Sequence, residues 1–249
     1  MKLQGKVAIV TGASKGIGRA IAKSFAREGA NVVINYNASE TQASDLFNEL
    51  VAGGSNAILA KADVSKKQEV KNMVDKTLTE WGRVDVLVNN AGILIPKDFL
   101  ETTEEDFDRI IGVNLKGTFF CCQLVAPIMR RQGKGKIINI ASVSALVQPS
   151  GLRFTDYVSS KAGIIGLTRS LAVNLGPNIS VNAICPGTIE TDIIAFMPDQ
   201  TKKLMIDETL LKRLGKPEEI ASAAVFLASD ESDFITGEVI TVGGGRGMR

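Results

Sequence analysis

The chain has 249 residues, 29 of them basic and 27 acidic, for a formal charge of +2, and it contains no histidine. This length is at the upper end of what one hydrophobic core supports, and charges of both signs are mixed along the chain; one domain spanning residues 1–249 is expected, and nucleic acid is an unfavoured partner. Without histidine neither a Ser-His-Asp nucleophile nor a histidine-ligated metal centre can be assembled, and Cys121, Cys122 and Cys185 show no CxxC spacing, so no metal site is expected.

The start, MKLQGK, runs into a strand with no signal-peptide core, and no apolar run reaches the ~18 residues that span a bilayer. A cytoplasmic protein in a reducing compartment, with no membrane partner, is the expectation. Seven β-branched runs then alternate with longer stretches of helical period: 6–11, 31–36, 56–61, 84–89, 136–142, 179–184 and 238–242. These runs lack polar alternation, which implies burial on both faces, and regular βα alternation leads to an α/β fold with a parallel, doubly wound sheet.

After the first run comes Gly12-Ala13-Ser14-Lys15-Gly16-Ile17-Gly18, opening directly into RAIAKSFAREG. Glycines there let the backbone turn sharply and approach a ligand, while free amides and the positive end of the helix dipole receive an anion such as a pyrophosphate. The spacing is GxxxGxG, unlike the GxGxxG of the usual dinucleotide fingerprint. The second run ends Asn35-Tyr36-Asn37 with no carboxylate to hold a ribose hydroxyl, and Lys15 offers a positive charge nearby, which favours NADPH over NADH. Asp63, followed by Val64 after the third run, is placed to accept from an adenine amino group or to serve as a turn residue. Ser65 with Gln68 reads as a capping box, and Pro217 suits the first position of a helix.

Asn114 lies within the helical stretch FDRIIGVNLKGTFFCCQLV, and Ser142 closes the fifth run, at the edge where open α/β sheets bind ligands. Tyr157 and Lys161 are one helical turn apart. A phenol with a pKa of ~10 needs a shift of about three units to ionise near neutrality, or about 4 kcal/mol. An ammonium ~4 Å away at an effective dielectric of ~20 contributes about that much. The pair is therefore expected to lower the tyrosine pKa and to move protons in place of histidine. Residues 186–216, between the sixth and seventh runs, mix turn residues with a weak amphipathic pattern and read as a lid.

TGASKGIG, Asn89-Asn90-Ala91-Gly92, Asn114, Ser142, Tyr157-VSS-Lys161 and Pro186-Gly187 occur in the order and spacing of the short-chain dehydrogenase/reductase family, which the chain resembles over essentially its whole length. GKPEEIASAAVFLAS and the ending TGEVITVGGG look most like its 3-oxoacyl-[acyl-carrier-protein] reductases. The resemblance implies a Rossmann-type sheet of seven parallel strands and an NADP-dependent interconversion of a carbonyl and a secondary alcohol. It implies Tyr157 as acid/base, Lys161 lowering its pKa and holding the nicotinamide ribose, Ser142 positioning the carbonyl, and Asn114 holding a water linked to the lysine. Asn90, Ala91 and Gly92 would back the cofactor, and Ile189 and Thr191, after Pro186-Gly187, would bind the carboxamide. An acyl thioester or small carbonyl compound is the implied substrate, an acyl carrier protein a candidate partner, and a homotetramer pairing the Asn114 and Tyr157 helices the implied assembly.

The chain also departs from those reductases. The loop from Ser142 to Tyr157 is about two residues longer, and Gly243 stands where aspartate is frequent. Arginines that meet the acidic carrier protein are replaced by Gly133 and Asn178, with Arg130, Arg131, Lys134 and Lys136 nearby either as substitutes or as a solvated helix end. A sugar, polyol or small-ketone dehydrogenase, or a catalytically silent binding protein on the same scaffold, are the alternatives.

Overall fold

The computed structural model describes residues 1–147, 154–191, 194 and 197–246. The middle of the loop between Ser142 and Tyr157 and part of the 186–216 segment thus lie outside the described residues. Seven strands, β1 (Val7–Val10), β2 (Asn31–Tyr36), β3 (Ala57–Lys61), β4 (Val86–Asn89), β5 (Gly135–Ile140), β6 (Ile179–Pro186) and β7 (Val239–Val242), form one sheet in the order β3-β2-β1-β4-β5-β6-β7. Every pairing is parallel. Each of the seven β-branched runs has become a strand, and the order reverses between β1 and β4, which opens a crevice at their carboxyl ends.

Burial on both faces follows from the crossovers. Val32 and Ile34 of β2 pack with α1 (Gly16–Arg27), α2 (Glu40–Ala52) and α8 (Pro217–Ala228), through Ile21, Phe25, Leu46 and Ile220. Val33, on the alternate face, packs with α3 (Lys67–Trp81), α5 (Gly117–Gln132) and α6 (Thr155–Leu175), through Val70, Val125, Met129 and Ala172. Alternate residues of one strand thus feed two cores, as an apolar run without polar alternation requires.

Pro217 is the first residue of α8, where its missing N–H costs nothing, and Glu219 accepts from the Lys216 amide at 2.7 Å. The Ser65–Gln68 capping box is absent. Residue Lys66 precedes α3, Ser65 donates from both its amide and its hydroxyl to Asp63 Oδ1, and Gln68 Nε2 donates to Asn72. The turn at Asp63 has captured the serine that the helix would have used.

The helical stretch around Asn114 is not uniform either. It comprises α4 (Glu104–Ile111), a π-helical segment Gly112–Lys116, and α5. By length and composition the run Glu104–Gln132 could cross a bilayer, which the reading of short apolar runs missed; here much of it belongs to the core beside α3 and α6. The 186–216 segment is pinned at its two ends, where Ile189 pairs with Gly215, the Glu190 amide donates to Gly215 and the Gly215 amide to Thr188. Between them lies α7 (Asp199–Asp207).

Candidate active site

The crevice is a cleft of about 540 Å³, and its floor is the glycine turn after β1. Gly12 and Gly16 have φ of +61° and +51°, the left-handed region that side chains avoid. A Cβ on Gly18 would come within 2.4 Å of both Asn90 Nδ2 and the Gly12 carbonyl, so glycine is required for the helix to sit this close. The start of α1 has no side-chain cap and no acid in its first turn, which leaves its amides and dipole available to an anion. Asn90 Nδ2 donates to the Thr11 and Gly12 carbonyls, and the Asn90 and Ala91 amides donate to Thr11 Oγ1, at distances of 2.9–3.1 Å. Thr11, passed over in the sequence, is the clamp that holds the Asn90 segment on the turn. The cradle fits a dinucleotide pyrophosphate.

Gly12, Ser14, Lys15, Gly16 and Ile17 line the cleft with Asn90, Ala91 and Gly92 on one side and Pro186, Gly187, Ile189 and Thr191 on the other. Gly18 acts from beneath, through packing. Four of the expected cofactor contacts are not among the residues lining this cleft. Asn35 is buried, with Oδ1 accepting from the Gly12 amide at 3.1 Å and Nδ2 donating to the Ala60 and Ala62 carbonyls, so its side chain anchors the turn. Tyr36 is buried in the core. Asp63 is engaged by Ser65, and Val64 packs against Gly117.

The chemical end is built by β5, α6 and the π segment. Ser142 follows β5; its Oγ accepts from the Ser144 amide at 3.2 Å and the Ser144 hydroxyl at 2.8 Å. Tyr157 is half-buried in the first turn of α6 and hydrogen-bonded to Ser142. Lys161, one turn on, is buried, donates to the Ile140 carbonyl at 2.8 Å, and has its Nζ 5.6 Å from the centre of the Tyr157 ring. Asn114 is fully buried: Oδ1 accepts from the Ile93 amide at 2.8 Å, while Nδ2 donates to the Ile93 carbonyl and Ser160 Oγ at 3.0 Å. A Cβ on Gly92 would lie 3.4 Å from both Asn114 Oδ1 and Lys161 Nζ, which puts those two atoms on one side of the strand end. A π segment frequently marks such a site, because its extra residue re-aims one side chain.

The electrostatics differ from the expected phenolate. Burial pushes the Tyr157 phenol above its usual pKa, and the Ser142 hydrogen bond, which works the other way, does not offset it. Burial also lowers Lys161 to about 8. Cys185, at the end of β6, is pushed up to about 11, again by burial, and acts as a neutral thiol. Burial thus disfavours the charged form of both groups, and near pH 7 Tyr157 is a protonated donor beside an ammonium close to its titration point.

Comparison with known proteins agrees with this geometry. A family profile described as enoyl-(acyl carrier protein) reductase matches residues 12–246. The 3-oxoacyl-[acyl-carrier-protein] reductase FabG of Staphylococcus epidermidis is 43% identical over 244 residues, 98% of this chain and 99% of the relative. The (2S)-[(R)-hydroxy(phenyl)methyl]succinyl-CoA dehydrogenase subunit BbsD of Thauera aromatica is 40% identical over 250 residues, 100% of this chain and 99% of the relative. A solved 7α-hydroxysteroid dehydrogenase, in complex with NADH and 7-oxo glycochenodeoxycholic acid, superposes with a TM-score of 0.93 at 38% identity, covering 98% of this chain and 95% of that one. With a seven-stranded parallel sheet, a glycine cradle at its switch point and relatives matched along their whole lengths, the chain belongs to the short-chain dehydrogenase/reductase family and is an oxidoreductase acting on a carbonyl or alcohol carbon.

Proposed function

We propose that the chain is an NADP(H)-dependent carbonyl reductase of 3-oxoacyl thioesters. The observation that carries the reading is the convergence of Asn114, Ser142, Tyr157 and Lys161 at one end of a cleft whose other end is the glycine cradle. The nicotinamide dinucleotide supplies the hydride when bound. Tyr157 hands its proton to the carbonyl oxygen, and its raised pKa keeps that proton available at neutral pH. Ser142 orients the same oxygen by hydrogen bonding. Lys161 stabilises the phenolate as the proton leaves, and Asn114, tied to both Ile93 and Ser160, fixes the backbone around it.

The NADP preference is supported by the second strand, which ends without an acid, and by Lys15, exposed beside the turn with no ion-pair partner among the described residues, whereas Arg19 is paired with Glu49. The relative solved with NADH makes this the point to test. Docking of an acidic carrier protein has less support at the basic groups near β5. Lys134 pairs with Asp230 and Asp233, Lys136 is buried against Asp233, and Arg130 donates to the Asn174 carbonyl. These groups also sit at the opposite end of β5 from Ser142.

A panel of 3-oxoacyl thioesters on carrier protein and on pantetheine, with sugars and small ketones, assayed with NADPH and NADH by near-ultraviolet absorbance, tests the reading. It predicts thioester turnover with NADPH favoured at least tenfold, and a Lys15→Ala variant in which that preference shrinks. Absence of nucleotide oxidation with every carbonyl would overturn it.

A further inference from the structure

The turn after β7 brings a charge into the cleft. A Cβ on Gly187 would lie 2.7 Å from Gly243 Cα, and one on Gly243 would lie 3.1 Å from Val143 Cγ1, so the chain passes closely over the residue next to Ser142. Arg246 follows, its amide donating to the Gly243 carbonyl at 3.1 Å, and it is only 6% exposed. Its Nη1 donates to Thr188 Oγ1 at 2.6 Å, and its Nη2 lies 2.5 Å from Glu208 Oε2, just past α7. Arg246 lines the cleft that holds Tyr157 and also a second cavity of about 570 Å³ that shares Gly187, Thr188 and Ile189 with it.

A buried ion pair is a weak way to stabilise a fold, because both charges lose water. Here the charge belongs to the wall of a cleft where a substrate must sit, a wall to which Val143, Met197 and Met205 also contribute. A guanidinium remains charged at every working pH and matches a carboxylate with two parallel donors. Thr188 is buried and fixed at the base of the 186–216 segment, whereas Glu208 is partly exposed, at the far end of the helix in that segment.

We infer that Arg246 is a specificity-determining residue that receives a carboxylate carried by the carbonyl substrate in addition to its thioester, in place of Glu208, and so selects acidic oxoacyl substrates over neutral ones. The inference rests on the reading of this cleft as a carbonyl-reductase site. Until substrate enters, Glu208 serves as the stand-in anion and keeps the guanidinium neutralised.

The test is calorimetric binding of 3-oxobutanoate, 5-oxohexanoate and 7-oxooctanoate, each beside its methyl ester, with and without NADP+. Acid and ester share a carbonyl and differ in charge, so the acid-to-ester ratio cancels general damage to the fold. The wild type is expected to bind at least one acid about 10- to 100-fold more tightly than its ester, the range of a charge-assisted hydrogen bond. Arg246→Gln should lose that ratio, Arg246→Lys should keep part of it, and Glu208→Gln should raise it by removing the competitor. If Arg246→Gln fails to fold, the Lys and Glu208 variants still decide. A wild-type ratio near one at every length, or variants that weaken acid and ester alike, would make Arg246 a structural brace and overturn the assignment. Nucleotide binding with no acid preference would defeat the inference alone, whereas absence of nucleotide binding would defeat the carbonyl-reductase reading first.

Discussion

Tyr157 and Lys161 show how far one residue's chemistry depends on what surrounds it. Their spacing was legible in the sequence, since two side chains one turn apart share a helix face. The direction of their pKa shifts was not, because desolvation is set by β5, β6 and the π segment closing over them. Coulomb's law in a mean dielectric predicts a lowered phenol; burial instead raises it and lowers Lys161 to about 8. The sign of the pH dependence follows. Tyr157 keeps its proton throughout the neutral range, while the ammonium that steadies the departing phenolate is present below about pH 8 and lost above it. Reductive kcat/KM should therefore be level at low pH and fall about tenfold per pH unit beyond about 8, with alcohol oxidation changing in the opposite sense. A reductive profile level to pH 9.5 would contradict this role for Lys161. Arg246 was invisible at this scale: a basic residue near the end of the chain carries no motif, and only the turn at Gly243 folds it into the cleft.

Among the elements, the strands and the glycine turn were readable because their requirements are local: β-branched runs, and positive φ at Gly12 and Gly16. What a glycine is for becomes clear only from its neighbours. A Cβ on Gly18 would press on the Gly12 carbonyl and Asn90 at 2.4 Å, whereas one on Gly166, inside α6, would meet nothing within 4 Å. Gly18→Ala should cost about 1–3 kcal/mol in urea unfolding, as overpacking does, and weaken nucleotide binding. Gly166→Ala should stabilise by about 0.5–1 kcal/mol, as alanine replaces glycine in a helix interior. Equal effects of the two substitutions would remove the steric argument. Capping at Ser65 was misread for a related reason, since Asp63 competes for the same serine, and the Asn114 π segment could not be told from an ordinary helix by its periodicity.

At the scale of the whole molecule, the parallel, doubly wound sheet was accessible because βα units with right-handed crossovers admit few arrangements, and the observed sheet is one of them, whereas its strand order came from the structure. Surface chemistry was less accessible. Lys134 and Lys136 look free in the sequence and are tied to the Asp230–Asp233 turn in the structure. Phe107, Phe119 and Val173 remain 45%, 43% and 84% exposed on α4, α5 and α6, apolar side chains available to a second copy of the chain. Sedimentation equilibrium should report a tetramer, and Val173→Asp together with Phe119→Asp should divide it into smaller species. A wild-type monomer at micromolar concentration would refute that assembly.

The most direct measurement compares Tyr157→Phe with the wild type in NADPH binding and in turnover of the best carbonyl substrate. The variant keeps the ring and its packing and loses only the proton that the account moves. Nucleotide affinity should remain within about twofold while turnover drops about 100- to 10,000-fold, the range of a lost general acid. Turnover close to wild type would show that another group protonates the carbonyl oxygen and would contradict the account at its centre.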